Sequence, residues 1–214
     1  MKSQPSPPSV RKDLVVLTAD KDIEYSLKGI FTRSDSLQIQ SDISYEIFRH
    51  PHKDSGCLNG AHDFLSSFAN HYRLALVVFD REGSGSSESR NTVEALVETQ
   101  LNKYGWQDRS AAIAIEPEVE NWIWVDSPHL PKILNWNGTF AEMKERLCQQ
   151  GFWQNDLPKP NRPKEAMDWV LRQGQKPHSS AIFEAIAQAV SLKRCEDSAF
   201  LKLKLTLQTW FPKH

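Results

Sequence analysis

The uninterrupted apolar run Leu74-Ala75-Leu76-Val77-Val78-Phe79 constrains this chain more than any other feature. A run with no polar alternation has no face that tolerates water, so it predicts a strand buried on both sides, as in a parallel sheet covered by helices. Leu14-Val15-Val16-Leu17 predicts a first strand of the same kind ending near Ala19, and Ala111-Ala112-Ile113-Ala114-Ile115 a later one that Pro117 stops. Ser44 to Phe48 supplies a short strand between the first two runs. The intervening segments change to helical period: Ile23, Leu27, Ile30 and Phe31 within Asp22 to Phe31, then Phe64, Leu65 and Phe68, then Val93, Leu96, Val97 and Leu101 with closure near Gly105. Strand and helix alternate, which predicts an α/β fold with a mostly parallel, Rossmannoid sheet flanked by helices.

Beyond residue 130 the pattern is helical. Thr139 with Glu142 forms a capping box, Pro163 suits a first helical turn, and Ile182, Phe183, Ile186 and Val190 share one face. In the tail, Leu201, Leu203, Leu205 and Leu207 alternate like a strand, while Phe200, Leu203, Leu207 and Trp210 fit a helix, the reading adopted here. The expected organisation is a disordered, Pro/Ser-rich lead-in over residues 1–10, an α/β domain over 11–130 and a helical extension over 131–214 packed on it. No apolar run approaches the roughly 18 residues of a membrane span, and the first residues lack a secretory signal pattern. Three scattered cysteines, Cys57, Cys148 and Cys195, suit reduced thiols, so a cytoplasmic address without membrane contact is expected. A net charge of −1 gives no global attraction to nucleic acid, which leaves local basic clusters to supply any.

Ligands of open parallel sheets gather beyond the carboxyl ends of the strands. Here those ends are acidic: Asp20-Lys21-Asp22-Ile23-Glu24, Asp80-Arg81-Glu82-Gly83 and Glu116-Pro117-Glu118-Val119-Glu120. Carboxylates converging there coexist only if protonated or neutralised by a cation, and a hard divalent ion, Mg²⁺ or Mn²⁺, fits such donors. The same acids also suit helix capping, Asp22 above all. His50-Pro51-His52-Lys53-Asp54 follows the second strand and offers His50 and Asp54 as a base or ligands, with ordinary loop residues as the alternative. The Gly83 to Ser87 segment reads as a mobile loop bordering the site, flanked by Arg81 and Arg90, which could reach a phosphate backbone. Lys159, Arg162, Lys164, Arg172 and Lys176 form a basic cluster that either tracks nucleic acid or faces solvent. Trp106, Trp122, Trp124, Trp136 and Trp153 read first as core and second as base-stacking platforms.

The arrangement resembles the TOPRIM family over roughly Asp13 to Asp126, closest to small, mostly uncharacterised prokaryotic members related to the OLD nucleases and often found beside phage-defence genes. Asp20 stands where the family has its first Glu, Glu24 at the acidic position opening the next helix, and Asp80 with Glu82 at Asp-x-Asp. Glu118-Val119-Glu120-Asn121-Trp122-Ile123-Trp124 is similar to the Glu-x-Trp stretch of those small members, and Pro163-Lys164 to Ser179 to their basic tail. This chain departs from the pattern in the shorter Asp20, in Lys21 where Gly is usual and in Glu82 for the second Asp. The resemblance implies a Mg²⁺- or Mn²⁺-dependent nuclease with Asp20, Glu24, Asp80 and Glu82 around the metal and Glu118 or Glu120 completing the shell. It further implies nucleic acid guided by Arg81, Arg90, Lys164 and Lys176, and a setting in anti-phage defence beside a partner such as an ATPase or a modification enzyme. The departures imply an alternative, a catalytically silent TOPRIM-like sensing or adaptor module.

Overall fold

The computed structural model describes residues 11–213, so the lead-in expected over residues 1–10 lies outside the described residues. The apolar runs form β1 (Lys12–Thr18), β2 (Tyr45–Arg49), β3 (Tyr72–Asp80) and β4 (Ser110–Ile115). They pair in the order β2-β1-β3-β4, and every pairing is parallel. The unbroken apolar character of β1 and β3 follows from this order, since both are interior strands and Val15 to Leu17 and Ala75 to Phe79 are fully buried. At the edge, β2 is only half-buried, which explains its mixed sequence Tyr-Glu-Ile-Phe-Arg.

The crossovers are α1 (Lys21–Phe31), followed by the single turn α2 (Ser34–Leu37), then α3 (Lys53–Ser66) and α4 (Arg90–Leu101). From β1 the chain steps to β2 on one side, whereas β2 to β3 and β3 to β4 step the other way, so right-handed crossovers put α1 on one face and α3 with α4 on the opposite face. The contacts agree, since α3 packs on α4 and α1 packs elsewhere.

After β4 come α5 (Glu120–Ile123), α6 (His129–Ile133), α7 (Phe140–Gln149), α8 (Pro163–Gln173), α9 (Ser180–Ala189) and α10 (Ser198–Trp210). α9 lies along α1, closely enough that a Cβ on Gly29 would stand 2.6 Å from the Glu184 carbonyl oxygen. α10 covers β4. It is a helix because Phe200, Leu203 and Leu207 then face inward together, which leaves Leu201 and Leu205 at 42% and 63% exposure. The Thr139–Glu142 capping box forms as expected. Four of the five singled-out tryptophans are buried, and each indole N–H finds an acceptor: Trp106 on Leu65 O, Trp122 on Asp197, Trp124 on Pro163 O and Trp153 on Leu157 O. Core packing therefore accounts for them, and base stacking does not. Among the described residues no helix is long and apolar enough to cross a membrane.

The outer edge of β4 is closed by side chains. Ala112 N–H donates to Glu98 Oε1 at 3.0 Å and Ala114 N–H to Glu94 Oε1 at 2.9 Å. Lys202 of α10 then bonds Glu94 at 3.2 Å and Glu98 at 2.8 Å. An edge so satisfied cannot recruit a further strand. Because Glu94 is only 2% exposed, removing its cation leaves a buried charge weakly compensated. Lys202→Met is expected to lower the unfolding free energy by about 1–3 kcal/mol in denaturant titrations; an unchanged midpoint would show that Arg90 and the strand N–H groups suffice.

Candidate functional site

β1 and β3 are neighbours whose chains leave toward opposite faces of the sheet, and such a reversal opens a crevice at the strand ends. The register pairs Thr18 with Val78, so Asp20 and Asp80 stand at equivalent places beyond it. Asp20 is the N-cap of α1, its Oδ1 accepting from the N–H groups of Asp22 and Ile23, both at 2.9 Å. The cap is thus Asp20 and not Asp22.

Asp54 reaches the same place from the first turn of α3, where Oδ1 accepts the Asp80 N–H at 2.8 Å. Its other oxygen lies against Gly83, and a Cβ there would overlap the carboxylate. The glycine after the third strand is therefore required by the close approach of Asp54. The segment expected to be a mobile loop starts as a tied 3₁₀ turn (Glu82–Ser84), with buried Ser84 donating its hydroxyl to Arg81 O at 2.6 Å.

Asp80 is the centre of the group. Its Oδ1 is buried and accepts from no donor. Burial, then the charges of Asp54, Glu120, Asp20 and Glu118, push its carboxyl well above the usual range. Glu120, 3% exposed at the start of α5, is pushed up to about 7 by burial and by Glu118. Burial also raises Glu118, against the pull of Lys164. Asp54 is raised by burial and the charge of Asp20, although its bond from Asp80 N–H works the other way. Four carboxyls held above their ordinary values around one crevice are the electrostatic mark of a site that favours added positive charge.

The cation the chain itself brings is Lys164, on the first turn of α8. Its N–H donates to Glu118 Oε1 at 3.2 Å. Burial opposes its charge, but Glu120, Glu118 and Asp80 outweigh that and raise its pKa. Lys164 thus belongs to the acidic group and not to a separate basic track.

The structure does not gather every expected site residue. Glu24 turns aside to pair with Lys28 at 2.7 Å and Arg49 at 3.2 Å. Glu82 is exposed at the rim, where its charge is felt by Glu118. His50 is buried against α3, its Nδ1 accepting the His52 N–H at 3.1 Å, with the ring over Gly56 and Gly60; it packs the helix and stands apart from the carboxylates. Arg81 pairs with Glu116 at 2.8 Å, Arg90 with Glu94 at 3.5 Å, and Lys176 donates to Ile133 O. Three of the four basic residues expected to guide a polyanion are therefore engaged within the fold. Among the described residues, no three His, Cys, Asp or Glu side chains stand together in an arrangement ready to hold a metal ion.

Sequence reasoning passed over His178 and Asp168. His178, between α8 and α9, sets Nε2 3.3 Å from Asp22 Oδ2 and Nδ1 3.4 Å from Asp168 Oδ1, which links the helical extension to the first turn of α1. No local pattern announces a contact between residues 156 positions apart.

Folded Glu120 titrates near 7 and an ordinary Glu near 4.5, so between these pH values the folded chain keeps a proton that the unfolded chain has released. The stability this group contributes is present at low pH and is lost as pH rises through that window. Relative to Glu120→Gln, the metal-free wild type is expected to lose about 1–3 kcal/mol of unfolding free energy between pH 4.5 and 7. Parallel pH profiles for the two proteins would contradict the burial of this charge.

No protein-family model, curated protein or solved structure matches this chain, so the reading of the site rests on its own geometry.

Proposed function

We propose that this chain is a TOPRIM-like phosphodiesterase that acts on nucleic acid with Mg²⁺ or Mn²⁺, working in a prokaryotic anti-phage system beside a partner such as an ATPase or a modification enzyme. The observation that carries the chemistry is Asp80: a buried carboxylate oxygen that no protein donor satisfies, within the field of the Asp54, Glu120, Asp20 and Glu118 charges at the switch point of a parallel sheet. The residues fit a hard divalent ion, because the available donors are all carboxylate oxygens. Mg²⁺ needs only one or two protein carboxylates alongside waters and substrate phosphates, so a set of three prearranged ligands is not demanded. Asp80 and Asp20 would hold the ion, with Glu120 completing the set. What a bound ion supplies at such a place is activation of a water molecule and stabilisation of the leaving oxygen.

The chain's own residues do the rest. Asp54, bonded to the Asp80 backbone, fixes the end of β3. Lys164 stands where a phosphate oxygen facing the carboxylates would be met by positive charge. The resemblance of Asp20, Asp80-x-Glu82 and Glu118 to Trp124 to the TOPRIM pattern supports the same reaction class.

A second reading, a silent TOPRIM-like sensing or adaptor module, is favoured by one observation. Asp20 already caps α1 and Glu24 is already paired with Lys28 and Arg49, so two of the expected metal ligands are committed elsewhere. A nicking assay on plasmid DNA and labelled RNA with Mg²⁺ or Mn²⁺ separates the two. Cleavage that falls about 10²-fold or more in Asp80→Asn is expected for the enzyme. Mn²⁺ binding followed by electron paramagnetic resonance should weaken in the same variant; an intact wild type that neither binds Mn²⁺ nor cleaves leaves the module.

A further inference from the structure

The two edges of the sheet end differently. β4 is closed by Glu94, Glu98 and Lys202, whereas β2 has no such cover among the described residues. The bonds from Leu14 N–H to Ser44 O and from His50 N–H to Thr18 O show that the even-numbered residues of this stretch turn their backbone groups toward β1. Alternation along the strand then turns the N–H and C=O of Tyr45, Ile47 and Arg49 outward, and among the described residues no backbone or side-chain bond reaches them.

The usual guards of an exposed edge are missing as well. β2 holds no proline, and both of its charges are engaged within the chain. Glu46 turns inward to Lys12 and the Tyr72 hydroxyl, and Arg49 is paired with Glu24 at 3.2 Å. What flanks the strand is aromatic. On the α1 face Phe31 meets Tyr45 with ring centroids 4.9 Å apart, and Tyr45 is 36% exposed. On the other face Phe48 packs with Phe64 and Phe68 of the α3 segment, all three only partly buried. An open strand with apolar side chains on both faces is a template for strand pairing.

The sequence of β2 complements itself. In antiparallel pairing about Ile47, the residues Tyr45, Ile47 and Arg49 fall opposite Arg49, Ile47 and Tyr45 of a second copy. Each such pair exchanges both backbone bonds, because all of these residues point outward. Every arginine meets a tyrosine ring and every Glu46 meets Phe48, so no like charges stand opposite one another. Only this register uses all the outward groups, and a slip that centres the pairing on Glu46 or Arg49 sets two like charges face to face.

We propose that the free edge of β2 is a dimerisation surface, on which a second copy of this chain adds its own β2 antiparallel with Ile47 on the two-fold axis. The two sheets become continuous, and the two carboxylate crevices face opposite ends of the joined sheet. The pairing is independent of whether the crevice cleaves nucleic acid.

The test follows the full chain by analytical ultracentrifugation over about 1–100 µM, the range in which an interface of modest area dissociates. A concentration-dependent dimer is expected. Tyr45→Lys, which sets like charges opposite at both ends of the pairing, should weaken it about tenfold or more, while Tyr45→Glu, an equal change at the same exposed position, should preserve it. Thermal melting of both variants guards against a folding defect. The register is read by cross-linking. Ile47→Cys places two thiols at a hydrogen-bonded pair about 5.5 Å apart between Cα atoms, within disulfide range, so mild oxidation should join the copies faster than in wild type, whose Cys148 is partly exposed. Tyr45→Cys and Arg49→Cys should cross-link when mixed and not when alone. A chain that stays monomeric, a dimer that Tyr45→Lys and Tyr45→Glu affect alike, or Ile47→Cys that joins no faster than wild type would each overturn the proposal. In a monomer, protection of the Tyr45, Ile47 and Arg49 amides from hydrogen exchange would assign the edge to residues 1–10 of the same chain instead.

Discussion

The repulsion among carboxylates beyond the carboxyl ends of β1 and β3 is the constraint on which the rest of this structure depends. Asp20 and Asp80 end neighbouring interior strands, Asp54 arrives from α3 and Glu118 and Glu120 from the turn after β4. They come from four different returns of the chain, so folding itself brings the charges together. In the low dielectric between helices this like-charge packing is unfavourable. The fold bears it because the buried apolar strands beneath, β1 and β3, leave little freedom in where their ends lie.

The segments after residue 130 answer that repulsion and also complete the core. α9 closes over α1, α10 seals the edge of β4 through Lys202, and α8 delivers Lys164 against Glu118. His178 ties the turn between α8 and α9 to Asp22 and Asp168. A shift of α8 by one turn would remove the ammonium from the acids and strand His178. The position of the cation that feels Glu120, Glu118 and Asp80 is therefore set by packing far from the strand ends.

Much of this was legible in the sequence, and the rest was not for definite reasons. Unbroken apolar runs identified the interior strands because burial on both faces admits nothing else, while β2 shifted by one residue, from Ser44–Phe48 to Tyr45–Arg49, because an edge strand carries a weaker pattern. Asp20, Asp54, Asp80, Glu118 and Glu120 were legible as acids immediately beyond strands. Glu24 was misplaced because it lies one turn after Asp20 on the same helix, yet a cap side chain folds back on the N–H groups whereas Glu24 reaches sideways to Arg49. His50 carried a usable signal, the glycines at 56 and 60 spaced by one helical turn, which form a flat track for a ring. Lys164 was legible only as one of a basic cluster and not as the partner of Glu118, and His178 was not legible at all, because their partners lie far upstream and no periodicity reports contacts of that range.

The committed state of the carboxylates and the unsatisfied oxygen of Asp80 are two sides of one arrangement. Asp20 holds two N–H groups of α1, Asp54 the N–H of Asp80, and Glu118 the N–H of Lys164. Each such bond to a charged acceptor contributes about 1.5–3 kcal/mol, which is comparable to the repulsion relieved by moving a charge a few ångströms away. Carboxylates that crowd one another therefore settle on the nearest backbone donors, and Asp80, whose neighbours hold theirs, is left without one. The Asp20 cap is locked by the start of α1, but the Glu118 bond joins two segments that meet only through packing.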